Sequence, residues 1–194
     1  FMARYPERFT KRCFVEIRGE SDKHGYSPFW EALGKHFFTM DFQKADYLSG
    51  ISNKHFIADL MPRYPIYVPT LPAEAQDVIG VVHEESGQGT DILLAEGFEF
   101  RGYVDIFDAG PTIESRAENL RTVSQQKTGK ALLQPSGTTA NKNAQMHLIA
   151  TGHLENFRVT AALAEPQAAG LSINQATQEG LNISSGSQVQ WAIL

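Results

Sequence analysis

The stretch "TLPAEAQDVIGVVHEESGQGTDILLAEGFEFRGYVDIFD", residues 70–108, decides how the fold is read. Residues 70–84 read as a helix that starts at Thr70 or around Pro72. Within it Ala75, Val78, Ile79 and Val82 fall at i, i+3, i+4 and i+7 and form one buried stripe. Residues 90–97, "TDILLAEG", read as a second short helix stopped by Gly97. Residues 98–108, "FEFRGYVDIFD", read as a hairpin with Arg101-Gly102 near its turn. Helices and strands in one short span imply an α+β fold.

The flanking segments follow the same pattern. "CFVEIRG" (13–19) reads as a short strand ended by Gly19. "SPFWEALG" (27–34) reads as a helix, with Ser27 as cap, Pro28 in the first turn and Gly34 as the stop. "FFTMDF" (37–42) then reads as a strand, and "HFIADLMP" (55–62) as a strand or a short helix ending at Pro62. "FWEALGKHFF" and "ILLAEGFEF" repeat one grammar, which is either a weak duplication or a common helix-to-strand connection. Beyond Pro111 the chain turns polar: 113–130 reads as starting in a helix, and 134–145 as an exposed loop. Strand-like runs at 146–152, 157–164 and 188–194, with a short helix over 173–181, make a small β-rich region. The expected division is a first domain over 1–125 and a β-rich subdomain over 126–194. The opening "FMARYPERF", with Phe1 ahead of Met2, reads as the late part of a helix in a longer protein.

Composition narrows the function classes. The 194 residues carry a net charge of −5 with no block of like charges, which argues against a nucleic-acid surface. Cys13 is the single cysteine, so no internal disulfide forms and a reducing, cytoplasmic setting is expected. No apolar run approaches the roughly 20 residues of a membrane span.

His83 is the leading candidate for chemistry. At the end of the expected 70–84 helix it borders the buried stripe, where the helix dipole favours a protonated imidazole, a good general acid. A structural C-terminal histidine is the alternative. The six histidines are scattered without zinc-ligand spacing, so no metal site is expected. "GQG" at 87–89 is not a phosphate loop, and Cys13, in an apolar strand, is a poor nucleophile. Asp105 and Asp108 point to opposite faces if the strand continues, so they are not a catalytic pair. Asp105 suits a cationic substrate, while Asp108, before Ala109-Gly110-Pro111, suits a turn. Arg18 suits an anionic group such as a carboxylate, or a structural ion pair.

Four segments, "EIRGESDKHGYSPFWEALGKHFFTMDFQKADYLSG", "FIADLMPRYPIY", "AQDVIGVVH" and "EGFEFRGYVDIFDAGPTIE", together resemble the arginine N-succinyltransferase family. The resemblance runs almost continuously from residue 1 to about 125 and is loose in the tail. It implies the C-terminal half of a GNAT-like acyltransferase: a mixed, mostly antiparallel sheet flanked by helices, followed by the β-rich subdomain. It implies succinyl transfer from succinyl-CoA to the α-amine of L-arginine, the first step of arginine catabolism by that route, with His83 as proton donor. Succinyl-CoA is then a co-substrate, with no permanently bound cofactor. The implied assembly is a homo-oligomer, or a hetero-oligomer with another succinyltransferase subunit. The family's CoA pyrophosphate loop lies upstream of the residues matched, so this chain alone is expected to bind succinyl-CoA weakly and turn over little. Two alternatives stand beside this reading: ornithine as the acceptor, and a non-catalytic amino-acid-binding or partner-subunit module on the same fold.

Overall fold

Helix formation in the first part of the chain begins at a cap. Ser27 is buried, and its Oγ accepts a hydrogen bond from the Trp30 amide at 3.3 Å. The helical run passes through a π-type turn, Trp30–Gly34, into α1, Lys35–Phe38. Gly34 does not stop the helix as expected. A Cβ there would overlap the Trp30 indole, so glycine is what lets the wide turn close over that ring. The stop comes at Thr39, which takes the left-handed conformation at φ 51°.

The expected strand over 37–42 is therefore absent: Phe37 and Phe38 finish α1, and α2, Phe42–Ile51, begins at the next aromatic. Tertiary packing overrides the β propensity of these rings. Phe38 stacks on Trp30 at 5.3 Å between centroids, and Phe107 stacks on the indole at 5.5 Å. The indole N–H is satisfied by the Met40 carbonyl at 3.2 Å.

The computed structural model describes residues 1–51, 55–134 and 143–194, which form two compact units, 12–115 and 1–11 with 116–194. In the first unit the ambiguous segment 55–62 is helical, α3, His55–Leu60. The helix expected over 70–84 shrinks to α4, Ala73–Asp77. α5, Gly87–Glu96, ends at Gly97 as expected.

A three-stranded sheet of order β1-β3-β2 completes the first unit, from β1, Arg12–Glu16, β2, Glu99–Val104, and β3, Pro111–Arg116. β2 and β3 are antiparallel, so the hairpin turn lies between Val104 and Pro111 and not at Arg101-Gly102. At Gly102, φ 86°, the register slips between Phe100 and Tyr103. The glycine marks a β-bulge that re-aims the strand, not a chain reversal.

The second unit starts from residues 1–11. They are not the end of a helix: Pro6–Arg8 is a single 3₁₀ turn, and the Tyr5 hydroxyl lies 3.0 Å from His153 Nδ1 and accepts from the Leu154 amide at 3.1 Å. The polar segment 113–130 also departs from its expected helical start. It finishes β3, makes a 3₁₀ turn at Ala117–Asn119 and the single turn α6, Arg121–Ser124, and then enters β4, Lys127–Leu133.

β5, Gln145–Thr151, β6, Arg158–Gln167, and β8, Gln188–Ile193, lie close to where the sequence puts strands, and β7, Gly170–Ile173, joins them. These strands close into a barrel of order β4-β7-β6-β5-β8, which leaves no open edge. Ile149, Leu171, Ile173, Val189 and Trp191 fill its core with Leu181 of α7, Gln175–Leu181. Asn174 caps α7 by accepting from the Thr177 amide at 2.8 Å. Most of the loop expected at 134–145, residues 135–142, lies outside the described residues. Both units mix helices and strands, so the α+β class holds. No helix among the described residues is long and apolar enough to cross a membrane.

Candidate functional site

His83 sits in a setting the sequence does not show. After α4 the chain turns at Gly80, φ 77°, and two long-range backbone bonds pin residues 80–83 in place. The Gly80 amide donates to the Ala109 carbonyl at 2.8 Å, and the His83 amide donates to the Arg18 carbonyl at 2.9 Å. The residues of the expected stripe therefore lie on a short helix and an irregular connection, with Ala75 buried and Val78, Ile79 and Val82 half-buried.

His83 is consequently not the last residue of a helix. It is the N-cap of the 3₁₀ turn Glu84–Ser86, which leads into α5. The imidazole therefore draws no support from a helix C-terminus. The useful geometry is different: His83 Nδ1 accepts from the Glu85 amide at 3.2 Å. With Nδ1 occupied as an acceptor, the ring proton sits on Nε2. The side chain is 14% exposed, enough to reach solvent at one edge.

Arg18 lies just beyond β1, next to this histidine through the backbone bond. Its Nη1 meets Glu85 Oε2 at 3.1 Å and its Nη2 donates to Ser21 Oγ at 3.3 Å. Glu85 Oε2 is also 3.9 Å from His83 Nδ1. The Arg18–Glu85 pair is exposed and contributes about 0–1 kcal/mol to stability, so its interest is positional.

Asp105 lies in the β2–β3 turn, not inside a strand. Its amide donates to the Gly110 carbonyl at 2.8 Å and its carbonyl accepts from Ala109 at 3.1 Å. Its Oδ1 accepts from the Phe107 amide at 2.6 Å. Burial pushes the Asp105 carboxyl up to about 6; the charges of Asp108 and Glu16 act in the same direction, against the Phe107 hydrogen bond. Asp108 is the turn residue expected: its two oxygens accept from the Gly19 and Gly110 amides, each at 2.8 Å.

Arg18 and Asp105 line one cleft of about 810 Å³ within the first unit. Among the described residues its charged walls are Glu16, Asp22, Asp46, Asp105 and Asp108 against Arg18 and Lys23, so carboxylates dominate. His83 is not one of the wall residues; it is joined to one of them, Arg18, by its backbone amide. The sequence reading missed Asp22 and Asp46. Asp22 carries the only local signal: its Oδ1 accepts from the His24 and Tyr26 amides at 2.8 and 2.9 Å, an Asx-type turn that lowers its pKa. Nothing in the sequence around Asp46, on α2, brings it toward Asp105. Among the described residues no cluster of three or more His, Cys, Asp or Glu side chains could hold a metal ion.

Comparison with known proteins adds a family. The family model for the arginine N-succinyltransferase beta subunit matches residues 1–122, and that for its C-terminal domain matches 130–192. An arginine N-succinyltransferase subunit beta from Pseudomonas aeruginosa is 43% identical over 190 residues, 98% of this chain and 55% of the relative. An arginine N-succinyltransferase from Escherichia coli is 40% identical over 190 residues, 98% of this chain and 54% of the relative. The chain thus spans about half the length of the curated relatives it matches. The solved structure of arginine/ornithine succinyltransferase subunit AI from Pseudomonas aeruginosa superposes with a TM-score of 0.82 at 34% identity, over 99% of this chain and 54% of that one.

Proposed function

The chain belongs to the arginine N-succinyltransferase beta subunit family, and from that premise we propose that it contributes the acceptor side of a succinyl transfer from succinyl-CoA to the α-amine of L-arginine. The observation that carries the proposal is the carboxylate-dominated cleft that Arg18 and Asp105 both line, with the His83 amide bonded to the Arg18 carbonyl. A cleft with five carboxylates and two cations among the described residues suits a guanidinium, and the half-buried Asp105 is the anion best placed to pair with it. Arg18 suits the succinyl or arginine carboxylate, provided it exchanges its exposed contact with Glu85.

The reaction needs three events. The neutral α-amine attacks the thioester carbonyl, and a tetrahedral oxyanion forms. The carbon–sulfur bond then breaks as CoA leaves and takes a proton, and the new amide nitrogen loses one. His83 is the donor to the departing sulfur in its imidazolium form. Nδ1–H then faces the Glu85 carboxylate 3.9 Å away in place of the Glu85 amide. Nε2 gives its proton to sulfur, and the proton lost by the amine nitrogen restores the imidazolium.

The same reading puts the transfer chemistry in the region 1–125, since the cleft is built from residues 16–112, and leaves 126–194 as the β-rich subdomain. It carries with it a GNAT-like ancestry for the first unit, a cytoplasmic setting, and assembly with further subunits, in keeping with the subunit names of the relatives. The name of the solved neighbour joins ornithine to arginine, which favours ornithine as a second acceptor.

The test uses the natural protein that contains this sequence. Thiol release from succinyl-CoA is followed with L-arginine, with L-ornithine and with neither. Acceptor-dependent release, lost in His83→Ala, is the expected result. Acceptor-dependent release that survives His83→Ala at the parent rate would remove the proton-donor assignment. No acceptor-dependent release at all would favour a binding module instead.

A further inference from the structure

The barrel unit carries a second cavity, of about 490 Å³, formed by no residue of the cleft. Its position is set by strand register. Residues directly paired across strands project to the same face of a sheet. Trp191 belongs to the barrel core, and it pairs with Lys127 on β4 and Ile149 on β5. One step along the interior face, Ile193 pairs with His147. Lys127, His147, Trp191 and Ile193 therefore gather at one end of the barrel interior, and all four line the cavity with Gln145 and Pro166. Mouths of closed barrels are common sites for small ligands, and the volume lies within the range of small-molecule pockets.

Two polar groups in this wall are buried and incompletely used. The Trp191 side chain belongs to a residue only 7% exposed, and its indole N–H has no hydrogen-bond partner among the described residues. Buried donors are nearly always paired, so an orphan on a residue that lines open volume, both here and in a neighbouring cavity bounded by Phe1, Leu148 and Phe157, calls for an explanation. His147 is 3% exposed; its Nδ1 lies 2.8 Å from the Gln145 carbonyl, which can only accept. That bond fixes the proton on Nδ1 and leaves Nε2 of the neutral ring as an acceptor.

The remaining wall is rich in donors. Lys127 supplies a cation, and Gln125 and Gln126 supply side-chain amides, while the Ser124 hydroxyl is already given to the Arg121 carbonyl at 3.2 Å. Among the described residues no aspartate or glutamate lines it, in contrast to the five carboxylates of the cleft.

We propose that this barrel mouth is a binding site for a small organic carboxylate. Lys127 is its counter-charge and the buried indole N–H of Trp191 its discriminating donor, while His147, whose free Nε2 is an acceptor, lines the site without pairing with the carboxylate. The site is independent of the acyl-transfer reading, because it shares no residue with the cleft.

These 194 residues hold two tryptophans and so contribute two signals to the indole region of a ¹⁵N–¹H correlation spectrum, that of Trp191 being assigned by its loss in Trp191→Phe. Trp30, bonded to Met40, serves as the internal reference. Succinate is the probe, titrated to about 10 mM, well above a millimolar dissociation constant. Inorganic phosphate at matched ionic strength is the control for any anion. The expected result is a saturable shift of the Trp191 signal with succinate and not with phosphate, weakened about tenfold or more in Lys127→Met. Lys127 is exposed at the start of β4, so this variant keeps the barrel, and retention of both indole signals checks that it has. Absence of a saturable shift, an equal shift with phosphate (an adventitious ion only), or an unchanged affinity in Lys127→Met would each overturn the proposal.

Discussion

The two units solve the problem of a small core in different ways. The barrel unit, 1–11 with 116–194, pairs its strands around a closed circuit and fills the interior with aliphatic side chains from every strand. The unit 12–115 has three strands among the described residues, and an aromatic cluster around Trp30 is a main part of its core. Its remaining order comes from turns held by single backbone bonds, such as Gly80 to Ala109 and His83 to Arg18. Closure yields an interior whose stability is spread over many side chains. A turn-built unit leaves polar groups beside a cleft, among them a carboxyl that burial holds partly protonated near neutral pH. One unit is organised for packing and the other tolerates features that packing alone would remove.

Substitutions sharpen or break this contrast. The largest effect is expected from His83→Ala. Turnover in the natural protein should fall about 10²–10⁴-fold. The lost cap at Glu85 should cost only about 1 kcal/mol of stability. Steady-state kinetics beside a urea melt reads both, and a large stability loss with intact turnover would make His83 a structural residue.

Ile149→Ala should do the reverse. Ile149 is fully buried in the barrel core, and its truncation should cost about 2–5 kcal/mol in denaturant unfolding. A loss below about 1 kcal/mol would mean that the barrel interior is not the tightly filled core described here.

Asp105→Asn tests whether the cleft carries stored strain. The folded carboxyl titrates at about 6 and the unfolded one near 3.8, so the native state holds the extra proton between these values. The stability linked to this group is fully present below about pH 3.8 and is lost as pH rises through about 6. Asp105→Asn should therefore be more stable than the parent by roughly 2–3 kcal/mol at pH 7 and no more stable near pH 3.5. Its affinity for arginine should fall if the carboxylate pairs with the guanidinium. Chemical denaturation at the two pH values measures the first claim, and an equal difference at both would remove it.

The smallest effect is expected in α7. A Cβ added at Gly180 meets nothing within 4 Å, so Gly180→Ala should stabilise the protein by about 0.5–1 kcal/mol through lower chain entropy alone. A thermal melt that moves down would mean that this helix end is tighter than it looks.

The same contrast explains which residues could be read from the chain alone. In the barrel, "MHLIATG" and "QVQWAIL" lie almost on β5 and β8, because each strand alternates inward and outward residues and that period is written locally. In the other unit, "AQDVIGVVH" has a helical period, yet only its first residues are helical. The bond from Gly80 to Ala109 spans a sequence distance that no local pattern encodes. Gly102 was legible as a special backbone position, but whether it makes a turn or a bulge depends on where β3 pairs. His83 was legible as a residue of interest, whereas its place at the start of a turn was not.

Local chemistry and period were enough to set the α+β class, three of the five barrel strands (β5, β6 and β8), the α5 stop at Gly97 and the candidacy of His83, Arg18 and Asp105. Only the tertiary structure decided that Arg18 and Asp105 share a cleft, that His83 turns its Nδ1 to Glu85, and that Asp105 is buried enough to keep a proton near pH 6. The physical reason is range: propensity and periodicity act over a few residues, while burial and hydrogen bonds between distant turns exist only once the chain has folded.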